Sequence, residues 1–120
     1  MTPESKTTAE IIRYLKSLKA AGQLIWWVKL WGNVMQRAGL PDLIVLYRGR
    51  LLAVEIKRPG GNATLLQVHT LKEMERAGAR PIVARCVEDV RRVIEETSPP
   101  RAGWAKNGGK SPWSIKGARN

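Results

Sequence analysis

A chain of 120 residues that is 43% hydrophobic can bury one α/β core and is too short for two ordinary domains. Its 21 Lys and Arg against 10 Asp and Glu give a formal charge of +11; a polyanion, most commonly nucleic acid, is the expected partner, the plain alternative being a merely soluble basic protein. A lone Cys86 excludes an intramolecular disulfide, and with His69 also alone any metal chemistry must use carboxylates.

The first helix is predicted from Thr2 as N-cap and Pro3 as first helical residue, with Ile11, Leu15 and Leu18 at helical spacing, until Gly22 stops it. Leu24 to Leu30 (LIWWVKL) reads as a strand. It is interrupted by Lys29 and too short to span a bilayer, and the N-terminus lacks a signal-type apolar region. No membrane association is expected, and a cytoplasmic location fits. The glycine-flanked segment WGNVMQRAG reads as a mobile loop, then LPDLIVLY and RLLAVEIK form two strands separated by Arg48 and Gly49. After RPGGNA, Thr64 to Ala77 looks helical, Arg80 to Ala84 forms a short strand, and Val87, Val90 and Ile94 mark a last helix. The expected order is αβββαβα over residues 1–97. From Ser98 onward, Pro and Gly alternate with Lys and Arg and no acid occurs, so residues 98–120 are expected to be a disordered basic tail. Its Trp104 and Trp113 suit loose nucleic-acid contact, and a solubilising terminus is the equal alternative.

The chemistry concentrates on the hairpin. If Arg48 and Gly49 are a two-residue turn, Tyr47 pairs with Arg50, and counting outward sets Asp42 opposite Glu55. Directly opposed residues have Cβ atoms roughly 4.5 to 5.5 Å apart, where two like charges destabilise a sheet unless a cation sits between them. Lys57 follows on the same face as Glu55, while Val54 and Ile56 point to the core, so one face is expected to be polar and the other apolar. Hard oxygen ligands of this kind hold Mg²⁺ or Mn²⁺, and an ammonium beside them suits phosphodiester hydrolysis. An EIK tripeptide alone is an ordinary surface alternation; the register match to Asp42 is what singles it out.

Glu4 continues the inward stripe of Thr8, Ile11, Leu15 and Leu18, which makes it a candidate third carboxylate, whereas Glu10 falls about 120° away and is expected in solvent. A first-turn acid favoured by the helix dipole explains Glu4 equally well. Gln67 lies on a stripe with Leu71 and Met74 that turns toward the hairpin, where its amide could order a metal-bound water; Thr64 and Gln67 also match a capping box.

GLPDLIVLYRGRLLAVEIKRPGGNATLLQ closely resembles the core of the VRR-NUC family, the virus-type replication-repair nucleases of the PD-(D/E)XK superfamily. The likeness rests on Gly39 before Pro41 and Asp42, the Glu55-Ile56-Lys57 tripeptide, and Gln67 on the following helix, and it extends through ERAGARPIVARCVEDV to cover most of residues 1–97. It implies a restriction-endonuclease-like core with a mixed sheet flanked by helices. It also implies an endodeoxyribonuclease that uses Mg²⁺ or Mn²⁺, leaves a 5′-phosphate, and acts on branched DNA such as Holliday junctions. Stand-alone members are expected to act as homodimers, and a helicase or replication-repair partner is a further expectation. By position the resemblance gives active-site roles to Asp42, Glu55, Lys57 and Gln67. It adds Glu4 and the backbone carbonyl of Ile56 to Asp42 and Glu55 as metal ligands. The family commonly has Ser where this chain has Cys86, a poorer N-cap for the last helix.

Candidate DNA contacts are Lys29, Trp31, Arg37, Arg48 and Arg58, acting on phosphates or, for Trp31, by stacking on an unpaired base. Trp31 could equally be a dimer contact or a core residue. Trp26 and Trp27 point to opposite faces of one strand, so at least one should be buried. A binding module with a nuclease-like fold and no activity, and an RNase, are the competing readings.

Overall fold

Arg48 and Gly49 take φ angles of 49° and 82°, the two consecutive left-handed conformations that a type I′ turn requires and whose twist matches the strands it joins. In the computed structural model, which describes residues 1–31 and 38–97, this turn joins β2 (Leu43–Tyr47) to β3 (Arg50–Ile56). Tyr47 stands opposite Arg50 and Leu43 opposite Val54. The preceding strand, β1 (Ile25–Lys29), pairs antiparallel with β2. On the other side of β3, β4 (Arg80–Ala84) adds in parallel after the crossover helix α2 (Leu65–Arg76), so the sheet runs β1-β2-β3-β4. With α1 (Pro3–Ala20) before the sheet and α3 (Val87–Glu96) after it, the order is the expected αβββαβα around a mixed sheet.

The helices begin where the sequence chemistry directs. Thr2 accepts the Ser5 N–H on its Oγ1 at 3.1 Å and Pro3 opens α1, relieving one of the amide groups left unpaired at a helix start. Cys86 occupies the N-cap of α3 without a side-chain hydrogen bond, as its weak acceptor sulfur implies. Asp89, in the first turn, instead accepts the Arg85 N–H on Oδ2 at 2.9 Å and so fixes the residue that leads into the cap.

One face of the sheet carries the main core. Ile11 and Leu15 of α1 and Val90 and Ile94 of α3 pack on Leu43, Val45, Leu52, Val54, Ile56, Ile82 and Ala84, each large side chain contributing roughly 1.5 to 3 kcal/mol by leaving water. Trp27 is half-buried against this cluster, while Trp26, alternating to the other face, is 54% exposed. No residue of α2 belongs to the cluster, yet Ala53 and Glu55, which alternate onto the opposite face, are both buried. The polar side of β3 is thus not left to solvent: Glu55 is enclosed although it lies on the face opposite the core, while the crossover helix α2 packs beside it on β4. Glu10, expected in solvent, is also half-buried, because α3 packs beside α1 and forms a groove lined by Glu10, Tyr14 and Arg91.

Tyr47 Oη donates to Gln23 Oε1 at 3.2 Å, which fixes the end of α1 beside the hairpin turn. Since the end of α1 is held at the turn, its first turn lies toward the open end of the hairpin. No helix among the described residues is long and apolar enough to cross a membrane. Arg37, within the expected loop, and the whole expected tail of 98–120 lie outside the described residues.

Candidate active site

The open end of the hairpin is set by Gly39, whose φ of 85° lies in the left-handed region and whose Cα faces α2 so closely that a Cβ would stand 2.7 Å from Leu66 Cγ. Only glycine satisfies both the angle and the approach without strain. The chain then passes through buried Pro41 to Asp42, whose carbonyl accepts the Leu30 N–H at 2.8 Å. At this point the β2–β3 ladder ends, and the Asp42 carboxylate accepts the Ile56 N–H on Oδ2 at 2.7 Å. One residue beyond the last paired positions, Asp42 and Glu55 stand across from each other, as the turn-based register requires.

Glu55 is only 2% exposed, and its Oε2 is buried with no hydrogen-bond partner. Its other oxygen lies 3.5 Å from Lys57 Nζ. Burial pushes the Glu55 carboxyl up from 4.5 to about 7, the Asp42 charge and a hydrogen bond with Asp42 push in the same direction, and Lys57 pulls it down. A carboxylate with an ordinary partner moves the other way. The group is thus held where its charge is poorly solvated and the Lys57 ammonium does not offset that cost. Two opposed carboxylates with an orphaned buried oxygen are the hard donor set that a divalent cation satisfies, and perturbed carboxyls of this kind cluster at functional sites.

By sequence, no family model matches the chain and no curated protein matches it. Among solved structures, one described as "VRR_NUC domain" superposes with a TM-score of 0.62 at 24% identity, covering 82% of this chain and 100% of that one. The fold is that of a VRR_NUC domain. A second, described as "VRR_NUC domain protein", has a TM-score of 0.62 at 20% identity over 80% of this chain and 88% of that one.

Within this VRR_NUC fold the remaining sequence candidates fall in different places. Glu4 lies at the correct end of α1 but is exposed, as are its neighbours Pro3, Ser5 and Lys6. The inward stripe runs past the last element able to cover it, and among the described residues no group of three or more Asp, Glu, His or Cys is placed to hold a metal. Glu4 is therefore not brought to Asp42 and Glu55. Gln67 realises the capping box: its Oε1 accepts the Thr64 N–H at 2.9 Å and its own N–H donates to Thr64 Oγ1 at 3.2 Å. That oxygen is committed to the start of α2. Ile56 contributes its N–H to Asp42.

The basic candidates separate as well. Arg48 stands at the turn, about five strand residues or roughly 17 Å from the carboxylates, and its Nη2 donates to Gln23 Oε1 at 2.8 Å. It is a fastening of the turn rather than a neighbour of the site. Arg58 is exposed immediately after Lys57. Lys29 carries its ammonium 3.8 Å from the centroid of the Trp31 ring, which is 66% exposed and so no core residue.

Sequence reasoning missed Arg85. Its Nε and Nη2 donate to the Gly61 carbonyl at 3.1 and 2.7 Å, tying the segment after Lys57 to the start of α3. The available signal was the RPGGNA segment itself, whose glycines leave backbone carbonyls in need of a donor.

Proposed function

We propose that the chain is a divalent-metal-dependent nuclease that hydrolyses phosphodiester bonds in DNA, with Asp42, Glu55 and Lys57 as its working residues. The observation that carries this reading is the enclosed Glu55 carboxyl, raised to about 7 and left with an unpartnered oxygen beside Asp42 and Lys57. A purely structural strand has no use for an acid opposite Glu55, because the Asp42 charge raises the cost of ionising it. The VRR_NUC fold supports a nuclease-type domain.

Asp42 and Glu55 are the residues that would hold Mg²⁺ or Mn²⁺, which when bound polarises a phosphate oxygen and acidifies a water molecule. The Ile56 N–H orients the Asp42 carboxylate, fixing one donor direction. Lys57, with a side chain 16% exposed, keeps its ammonium at the mouth of the site while paired with Glu55. There it can position the attacking water or neutralise charge on the scissile phosphate. The charge of +11 supplies sequence-independent attraction to the backbone, and Arg58, exposed beside Lys57, is placed for a phosphate contact. Cleavage is proposed to favour branched DNA, with a homodimer presenting two sites to opposed strands.

The test is cleavage of plasmid, linear duplex, four-way junction and RNA with Mg²⁺ or Mn²⁺, run alongside a solution mass. Asp42→Ala and Lys57→Ala are each expected to lower the rate by at least about 100-fold, as removal of one charge-stabilising group typically does. Undiminished cutting in both variants overturns the site assignment. Binding without cutting by the wild-type chain identifies a binding module instead, and preferential RNA cleavage makes it an RNase.

A further inference from the structure

The pair formed by Lys29 and Trp31 has no role in the core or in the carboxylate site, and among the described tryptophans Trp31 is the most exposed and has the closest ammonium, 3.8 Å against 5.9 Å for Lys19 over Trp27. Trp27 is half-buried on the core and Trp26 lies on a different part of the sheet surface. Trp31 follows directly on Leu30, whose N–H is bonded to the Asp42 carbonyl at 2.8 Å, so the indole is anchored at the open end of the hairpin. From chain dimensions its ring stands on the order of 10 Å from the Asp42 backbone, about three stacked-base steps. By strand alternation Lys29 shares a face with Leu43, the side of α1, whereas Glu55 lies on the opposite face. The indole is therefore reached around the end of the sheet from the carboxylates.

We propose that Lys29 and Trp31 form a stacking subsite for an unpaired nucleobase about three base steps along the strand from the phosphate held at Asp42 and Glu55. The inference rests on the nucleic-acid reading above and adds to it a preference for DNA with unpaired bases. An indole stacks only on a base whose π-face is free, which an internal pair of a continuous duplex does not offer. A strand that turns around the end of the sheet must also leave its complement. The ammonium 3.8 Å from the ring centroid holds the ring through a cation–π contact on one face and leaves a positive charge beside it for a phosphate of a strand whose base stacks on the other face. A protein partner fits less well, because lysine is depleted from the buried centres of protein interfaces.

The experiment is metal-free titration of wild type, Trp31→Ala, Trp31→Phe and Lys29→Gln with oligonucleotides carrying 2-aminopurine, either in a single-stranded flap or inside a continuous duplex. Circular dichroism confirms that each variant folds, which the 66% exposure of Trp31 favours. Wild type is expected to quench the flap probe and leave the duplex probe unchanged. Trp31→Ala should abolish the quench and weaken flap binding on the order of tenfold, with duplex binding within twofold. Trp31→Phe should restore most of both, and Lys29→Gln should weaken binding and reduce its salt dependence by about one phosphate contact. An unchanged quench in Trp31→Ala, or an equal loss on flap and duplex, overturns the proposal, as does a change in solution mass with DNA binding intact, which would make Trp31 a protein contact. Because no metal is present, a chain that quenches but never cuts supports the stacking site and overturns the nuclease reading. A nuclease in which Trp31→Ala leaves flap binding unchanged does the reverse.

Discussion

The two ends of the β2–β3 hairpin are built from similar materials and left in opposite conditions. At the turn, Tyr47, Arg48 and Gln23 satisfy one another through hydrogen bonds at 3.2 and 2.8 Å, and the glycine has the angle the turn needs. At the open end, Asp42 and Glu55 face each other, one oxygen of Glu55 has no partner, and its carboxyl is pushed up to about 7. A fold whose local preferences agree nearly everywhere shows its purpose where they do not. The turn end holds the register; the open end uses that register to keep two acids together.

The largest expected effect comes from removing the conflict. A carboxyl whose pKa rises from 4.5 in the unfolded chain to about 7 in the folded one binds more protons when folded across that interval. Stability of the metal-free protein should therefore fall as pH rises from 4.5 to 7 and level off above it. Glu55→Gln removes the term, so at pH 8 the variant should be more stable than wild type by on the order of 3 kcal/mol, and at pH 4 nearly equal to it. Urea unfolding at both pH values measures this. Mn²⁺ should restore wild-type stability at pH 8 and leave the variant unaffected, and equal responses would remove Glu55 from the metal site.

Next in size is the glycine that sets the open end. Gly39→Ala combines a left-handed angle with a Cβ 2.7 Å from Leu66 Cγ, so a loss of about 2 to 3 kcal/mol is expected, together with reduced cleavage as Asp42 is displaced. Gly49→Ala meets the angular cost of its φ of 82°, about 1 kcal/mol, and should leave the cleavage rate of the folded protein unchanged. Thermal melts with activity assays below the transition separate the two. Equal losses of activity would show that the ends are not independent.

The smallest effect is expected at Arg48. Its contacts are partly exposed, so Arg48→Ala should cost under about 1 kcal/mol. Its distance from the carboxylates predicts DNA affinity within about twofold of wild type at fixed salt. A clear loss of affinity would return Arg48 to the DNA surface and blur the contrast between the two ends.

Local chemistry made most of the framework legible. The Thr2 and Thr64 caps, the pairing of Arg48 with Gly49, and the alternating strands each record their environment within a few residues, and the elements form where those signals lie. Glu4 shows the limit of such reasoning. Periodicity placed it on the inward face, but a stripe does not say where the covering element ends, and its turn of α1 lies beyond cover. Gln67 satisfied two patterns, and the capping contact three residues away took its oxygen. The burial of Glu55 was hidden because it depends on what the assembled fold packs against the second face of β3, which no local pattern records.

The sequence by itself determined the opposition of Asp42 and Glu55, since a two-residue turn fixes every pairing outward from it and a slip of one residue would turn the side chains to the wrong face. Tertiary structure alone decided what that opposition means. Packing of the assembled chain withdrew water from Glu55, and the Ile56 N–H captured Asp42. Desolvation depends on everything that surrounds a group rather than on its neighbours in the chain, so the raised carboxyl and its unpartnered oxygen exist only in the assembled fold.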